Sequence, residues 1–257
     1  MAADISSNTA TRQAACLCAV SLMLAGAAPF GYAADGDVVA ATYADPTTRY
    51  AHGVLGDAVE WGSLHLTVRA CSGCAEPTSE DVVIQLPQRR VFEDLAPRVV
   101  TVNAAGDRAA LVVESDRTDG ARLALYTADG LLAATPFIGT ANRWLAPIGA
   151  ADLDGDGAVE FAYIDRPHLA KTLRVWQLDG DRLTEEANAT GFSNHRIGWD
   201  YIEGGLRDCG DGIEMVVASG NWRHVVAVRH DGTLTPRVLG PYSAAAIAAA
   251  MACVDAD

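Results

Sequence analysis

The chain has 257 residues, 33 acidic against 19 basic side chains, and a formal net charge of −14. A surface this acidic repels phosphate backbones and anionic lipid head groups, so we expect neither nucleic acid nor a membrane surface as a partner. The length allows one large domain or two small ones.

The first 33 residues have the pattern of a secretory signal peptide. Arg12 precedes an apolar run at 14–28, and Gly31 and Ala33 supply small residues for cleavage before residue 34. A transmembrane helix is the alternative, but the run is short for a span and no basic flank follows it. We therefore expect an exported protein, periplasmic or secreted, without membrane insertion after cleavage and with one domain at 34–257.

Four cysteines remain in that domain: Cys71, Cys74, Cys209 and Cys253. An even number in an exported chain indicates disulfides, and the sequence allows three connectivities. Cys71 and Cys74 are predicted to form a local clamp. The alternative is a redox pair of the thioredoxin type, but such a pair opens a helix, and the residues at 76–79 are typical of a loop.

The domain contains a repeat of about fifty residues. Glycine–aspartate turns recur between apolar runs, and their aspartates, at 57, 107, 156 and 211, are 50, 49 and 55 residues apart. Each unit offers short strand-like runs around its turn. Four short strands per unit predict an all-β protein, a β-propeller of four-stranded blades with four repeats. A β-sandwich is the alternative, but it does not require a repeated four-strand unit.

The two ends of the domain suggest a partial terminal blade. Residues 38–46 resemble the outer strand predicted at 131–136, and residues 243–257 resemble the start of a unit. Strands from both ends could complete one blade and protect its edges, which leaves four or five blades open. A short helix at 244–252 is the alternative, because that run is rich in alanine.

The third unit carries an acidic loop at 152–160. Acids at alternate positions, with glycines that let the backbone turn, direct their oxygens towards one centre, and such hard donors suit Ca²⁺. The predicted ligands are Asp152, Asp154, Asp156, the Ala158 carbonyl and Glu160. A surface turn between two strands is the alternative. The loop is not an EF-hand, because position 12 is Tyr163 and strand-like residues flank it.

Basic and aromatic residues precede three of the units. In a propeller these segments meet at one mouth of the central channel, where they could bind an anionic or carbohydrate ligand. The candidates are Arg49, Tyr50, Arg143, Trp144, Arg196 and Trp199. The alternative is structural, with aromatic side chains wedged between blades and arginines bridging them.

The motifs do not predict an enzyme. The sequence has no nucleophile elbow, zinc motif or phosphate loop, and none of its six histidines is paired with another at ligand spacing.

The loop Asp152-Leu-Asp-Gly-Asp-Gly-Ala-Val-Glu160, between strands of a fifty-residue repeat in an exported chain, resembles the FG-GAP/VCBS repeats, which are related to the propeller of integrin α-chains. The other units lack the complete motif, so the resemblance implies one calcium ion. Members of this family bind proteins or glycans or serve as scaffolds, so membership does not name a function.

A propeller would also bring two of the cysteines together. Equivalent inner-strand positions of neighbouring blades lie close to each other, which favours a Cys209–Cys253 disulfide in addition to the Cys71–Cys74 pair. The predicted function is a calcium-binding, non-catalytic interaction module for a protein or carbohydrate partner. The alternative is a hydrolase or lyase that acts on a polysaccharide at the channel mouth, which would require a convergent pair of acids or an acid–histidine pair there.

Overall fold

The computed structural model describes Met1, residues 36–69 and residues 79–254. This part of the chain contains seventeen β-strands and one α-helix. Every strand pair is antiparallel, and the strands form three sheets. The protein is therefore all-β, as predicted.

The first sheet joins the first two repeat units. Its strands are β1 (Asp37–Thr47), β2 (Glu60–Arg69), β3 (Ser79–Gln85), β4 (Arg90–Phe92), β5 (Arg98–Thr101), β6 (Arg108–Asp116), β7 (Gly120–Thr127) and β8 (Gly130–Ala134). β1 and β3 flank β2. β4 and β5 pair with successive stretches of β6, on the side opposite β7, so they are two halves of one interrupted strand.

The third unit forms a four-stranded meander of its own. It consists of β9 (Leu145–Ala151), β10 (Glu160–Asp165), β11 (Thr172–Asp179) and β12 (Arg182–Thr190), paired in chain order. The acidic loop connects β9 to β10. Each strand runs along the sheet for about 20 Å, so the loop and the start of β9 lie at opposite ends of it.

The fourth unit repeats the pattern with another interrupted strand. Its strands are β13 (Phe192–Ser193), β14 (Gly205–Asp208), β15 (Ile213–Ser219), β16 (His224–His230) and β17 (Leu234–Pro241). β13 and β14 pair with successive stretches of β15, and residues 194–204 form a long loop between them. Helix α1 (Ala244–Met251) follows, and its first turn is capped by the Ser243 hydroxyl, which accepts a hydrogen bond from the Ala246 amide.

The sheets stack face to face, because alternate residues of each central strand pack on opposite sides. In β6, Ala110 and Val112 pack with β1 and β2, whereas Leu111 and Val113 pack with β9 and β10. In β10, Ile164 faces the fourth unit instead. Both faces of these strands are therefore buried, which explains why they read as continuous apolar runs.

Neighbouring sheets come very close where β9 meets β14. A Cβ at Gly149 would lie 2.8 Å from a side-chain carbon of Leu206, so a larger residue there would push the two strands apart.

Helix α1 covers part of the outer face of the last sheet. Ile247 and Ala250 pack with Val216 and Val225, which face away from the third unit. The residues at 244–251 thus form the helix that the alanine content favours, and not the first strand of a terminal blade.

The first unit also departs from the prediction. β1 pairs with β2, so it does not join a blade with the C-terminal segment. β4 pairs mainly with β6, so it opens the second unit and does not end the first. The described residues thus give four-stranded meanders in the second, third and fourth units and a three-stranded meander in the first.

Cys209 and Cys253 form a disulfide, which is the pairing expected from the sequence. The predicted signal peptide at 1–33 and the predicted Cys71–Cys74 pair lie outside the described residues, apart from Met1. Among the described helices, none has both the length and the apolar character needed to cross a membrane.

Candidate functional site

The acidic loop brings its three aspartates together. Carboxylate oxygens of Asp152, Asp154 and Asp156 lie within 4.8 Å of one another. Asp152 accepts hydrogen bonds from the amides of Gly155 and Gly157, at 2.7 and 3.1 Å. These bonds curl the chain around the carboxylates, and both glycines have the positive φ that this curl requires.

Glu160 and Ala158 support the loop from inside. Glu160 is fully buried, and its Oε2 accepts a hydrogen bond of 2.6 Å from the Leu153 amide. Burial raises the pKa of Glu160, against the effect of that hydrogen bond. The Ala158 amide donates to Asp156 at 2.7 Å. Glu160 therefore braces the loop and does not belong to the group of three converging carboxylates.

The donor set fits a calcium ion. Carboxylate oxygens on a flexible loop, without a nitrogen or sulfur ligand among them, are the ligands that Ca²⁺ prefers. Asp156 is exposed, so water can complete the coordination shell. Bringing three carboxylates so close costs electrostatic repulsion, which a divalent cation would relieve.

The six residues of the predicted ligand patch do not form one surface. Tyr50 and Trp144 are only 3% and 2% exposed and belong to the core, so the prediction that they offer flat apolar surface to a ligand is corrected. The Arg49 guanidinium donates to the Arg90 carbonyl, with Nε at 3.1 Å, and thereby ties the first unit to the second. Arg143 is the exception, because its guanidinium is bonded only to the adjacent Asn142 carbonyl within the described chain.

Arg196 and Trp199 belong to a separate aromatic cluster. The Arg196 guanidinium lies 4.4 Å from the ring centre of Trp222 and 5.5 Å from that of Trp199. Trp199 stacks on Tyr201 at 4.5 Å, and Tyr201 is 42% exposed. These rings come from the long loop at 194–204 and from the turn before β16.

A small pocket opens at the other end of the third sheet, beside the start of β9. It has a volume of about 170 Å³, and we call it the histidine pocket after two of its lining residues; the lining includes His52, Arg143, Trp144, Arg166, His168 and Ile197. All four units contribute to it or to its immediate support. The Gly198 amide donates to the Val54 carbonyl at 3.1 Å, which joins the fourth unit to the first.

A buried carboxylate holds one of the two histidines. His52 Nδ1 lies 2.6 Å from Glu93 Oε1, and Glu93 is fully buried. Ser115 donates a short hydrogen bond to the other carboxylate oxygen. Burial raises the pKa of Glu93, against the hydrogen bond and charge of His52. The pair fixes the His52 ring, as a carboxylate does for a general base.

The second histidine of the pocket, His168, is held in place by a chain of hydrogen bonds through His195. His195 Nε2 lies 3.0 Å from the Trp199 carbonyl, which can only accept, so this nitrogen carries the proton. In neutral His195, Nδ1 then accepts from His168 Nε2 at 2.9 Å. Burial lowers the pKa of His168 to about 4, and the charge of the adjacent His195 is the second cause. His168 is therefore neutral near pH 7, and its Nδ1 is unprotonated.

More acidic groups are buried behind the pocket. Burial, together with the charges of Glu93, Asp57 and Asp94, raises the pKa of Glu60 to about 9. Asp94 is held by Arg98 at 2.6 Å. Trp144 covers this region, and its Nε1 donates to the Glu93 carbonyl at 2.8 Å. The interruption between β4 and β5 is what places Glu93 and Asp94 inside the molecule.

No sequence motif indicates the histidine pocket. Its histidines lie far apart in the chain and share no motif. The available signal was the position of His52 and His195 in two of the segments that lead into repeat units, beside the basic and aromatic residues chosen as candidates. In sequence comparisons, neither a protein-family model nor a curated protein matches this chain.

Proposed function

We propose that this protein is an exported, calcium-binding repeat protein of the β-propeller type that acts as a binding module. The observation that carries the proposal is the convergence of the carboxylates of Asp152, Asp154 and Asp156 within 4.8 Å in the loop between β9 and β10. The ion would be structural, since it would fasten the connection between β9 and β10.

The architecture supports the propeller assignment. Four successive meanders pack face to face, with alternate residues of each central strand on opposite sides. Segments of all four meanders meet around the histidine pocket, as blades meet around a central channel. The repeat length and the acidic motif add the resemblance to FG-GAP/VCBS repeats. The Cys209–Cys253 disulfide supports export, because disulfides persist in oxidising compartments.

The histidine pocket is the proposed binding site, and its ligand is a protein or carbohydrate that presents an anionic group. Arg143 offers a guanidinium that no carboxylate of the described chain pairs with. On a chain with a net charge of −14, this cation at a pocket is a local exception that would attract a carboxylate. Ile197 and Leu169, which are exposed at the rim, would contact the apolar part of the ligand.

Thermal unfolding in calcium and in chelator tests the proposed calcium site. A ligand that binds only the native state adds about 2.7 kcal/mol at a hundredfold excess over its Kd, so calcium should raise the Tm by several degrees. Asp152→Ala should abolish the difference between calcium and chelator. Asp181→Ala, which removes an exposed acid outside the loop, should preserve it. Identical melting of the wild type in both solutions would contradict the proposal.

Catalysis is a second candidate function, favoured by one observation. The His52–Glu93 contact is an acid–histidine pair at the pocket, which is the feature that a hydrolase or lyase would require. His52 would act as the base, Glu93 would orient its ring, and Arg143 would hold an acidic sugar of a polysaccharide substrate.

An activity assay separates the two functions. Polygalacturonate, alginate and hyaluronate would be incubated with the protein, and new reducing ends and unsaturated products would be measured. An enzyme would turn over one of them and lose that activity in His52→Ala, but not in His224→Ala, which removes an exposed histidine of β16. Binding to a polysaccharide without turnover would favour the non-catalytic module.

A further inference from the structure

A second group of potential metal ligands lies at the seam between the third and fourth units. It consists of Asp154, Glu186 and His230, each of which offers a ligand atom within 4.8 Å of the other two. Asp154 belongs to the acidic loop, Glu186 to β12 and His230 to the end of β16. Three separate elements of two sheets therefore aim side chains at one place.

The backbone of β12 is built irregularly at this point. Val175 pairs with Ala187 and Trp176 pairs with Glu185, so Glu186 is the extra residue of a β-bulge. Bulges re-aim a side chain away from the regular alternation of a strand. Here the bulge residue reaches the neighbouring sheet, where Glu186 Oε2 lies 3.3 Å from His230 Nε2.

His230 is the buried member of the group, and its hydrogen bonding is incomplete. It is 4% exposed, and its Nδ1 is buried without a hydrogen-bond partner in the described chain. The contact of Nε2 with Glu186, at 3.3 Å, is long for a charge-assisted hydrogen bond. A histidine buried for packing alone would normally have both nitrogens satisfied, so its polar interactions are incomplete.

We propose that Asp154, Glu186 and His230 bind a transition-metal cation of the Zn²⁺ class across this seam. One imidazole nitrogen and two carboxylate oxygens are a typical mixed set for Zn²⁺ and poorly matched to Ca²⁺, which takes oxygen ligands. Ligand atoms in a tetrahedral shell at about 2.0–2.2 Å from Zn²⁺ lie about 3.3–3.6 Å apart, so the three ligand atoms, which lie within 4.8 Å of one another, would have to draw together by up to about 1.5 Å. Water would complete the shell, since Glu186 is exposed.

Asp154 links this site to the proposed calcium site. Its two carboxylate oxygens could serve one ion each, which would place the cations side by side. The shared carboxylate allows the two sites to be separated by mutation. Asp152 belongs only to the acidic loop, whereas Glu186 and His230 belong only to the seam.

Isothermal titration calorimetry with ZnCl₂ tests the proposal, using tag-free protein saturated with calcium. We expect one saturable zinc site. Glu186→Gln and His230→Gln should each weaken zinc binding by about 10-fold or more. Removal of a residue that only supports a ligand already costs roughly 10-fold. His224→Gln, on the same strand but exposed, should leave it unchanged. Because Glu186 is exposed, its variant decides the question even if His230→Gln unfolds the protein.

Calcium titrations of the same variants keep the two proposals apart. Glu186→Gln should retain calcium binding, Asp152→Ala should retain zinc binding, and Asp154→Ala should weaken both. Absence of saturable zinc binding, or a Glu186→Gln variant that binds zinc as tightly as the wild type, would overturn the seam site and leave the calcium proposal intact. A wild type that binds zinc but not calcium would overturn the calcium proposal and leave the seam site intact.

Discussion

Polar residues cluster at both ends of the third sheet, but the two clusters differ in their exposure to solvent and in how far apart their residues lie in the sequence. At the acidic loop, three exposed or half-buried aspartates lie within five consecutive residues. At the histidine pocket, about 20 Å away along β9 and β10, an acid and two histidines are buried or half-buried and come from different units. A cation bound at the first end, as proposed, would balance the charge of its three aspartates. The second end is already balanced by internal hydrogen bonds.

This difference shows how each end is held together. Near the loop end, the fourth unit is fastened by the Cys209–Cys253 disulfide, which follows β14 as the acidic loop follows β9. At the pocket end, Trp144 packs over Glu93 and donates to its carbonyl. Loop-end stability should therefore respond to chelators and to loss of the disulfide, and pocket-end stability to core substitutions and pH.

The largest expected effect is that of Trp144→Ala at the pocket end. Removing a buried tryptophan and its hydrogen bond to Glu93 should lower the free energy of unfolding by about 3–5 kcal/mol. Trp199→Ala, in the partly exposed aromatic cluster, should cost much less. Guanidinium unfolding of both variants measures the difference. Equal losses would show that Trp144 is not the structural residue of the pair.

Removing the disulfide should have the next largest effect. The bond joins residues 44 positions apart, and the chain-entropy model gives up to about 4 kcal/mol for such a loop, which native-state strain reduces. The double variant Cys209→Ser/Cys253→Ser should therefore unfold at lower guanidinium concentration. The wild type and the double variant are compared without reducing agent, so that the oxidation state of the other cysteines is the same in both. An unchanged midpoint would contradict a stabilising role.

Acidification should destabilise the pocket end through His168. Its folded-state pKa is about 4, below the usual value of 6.5, so the unfolded chain binds the proton first as the pH falls. The stability is fully present above pH 6.5 and is lost as the pH falls to about 4. Partial exposure limits the effect to the order of 1–2 kcal/mol.

His168→Gln keeps a side-chain amide that can donate to His195 but removes the titrating group. The variant should therefore lose less stability between pH 6.5 and 4 than the wild type does, as measured by urea unfolding at several pH values. The same pH dependence in both proteins would show that His168 does not titrate as described.

The smallest effect on stability is expected for Arg143→Ala. Arg143 is half-buried and has no ion pair among the described residues, so its removal should change the free energy of unfolding by less than about 0.5 kcal/mol. Binding of glucuronate, used as the probe, should weaken about 10-fold, since a charged hydrogen bond contributes about 1.5–3 kcal/mol. Arg182→Ala, an exposed arginine of β12, is the control. Wild-type affinity in Arg143→Ala would remove this residue from the binding site.

The loop and the pocket also differ in how far the sequence predicted them. The acidic loop is local, so the spacing of Asp152, Asp154 and Asp156 already indicates that their carboxylates converge. Glu160 has the expected position but turns to the Leu153 amide, because that amide is buried beside it. The residues on either side of the loop predict strands, and β9 and β10 flank it as expected.

The pocket could not be predicted, because its parts meet only through tertiary packing. His52 and His195 are 143 residues apart, and Glu93 enters the core only because β4 and β5 are interrupted. The prediction that Tyr50 and Trp144 face a ligand is wrong, because the sequence of a connecting segment does not show whether an aromatic residue is buried or exposed. The end of the chain was ambiguous for a similar reason, as alanine suits both a helix and a tightly packed strand.

Calorimetric titration of calcium into chelator-treated protein is the most direct test of the proposed calcium site. We expect one calcium ion per chain, bound by the wild type and by His52→Ala, and no saturable binding by Asp152→Ala. Absence of calcium binding in the wild type, or undiminished binding in Asp152→Ala, would show that the loop between β9 and β10 is only a turn.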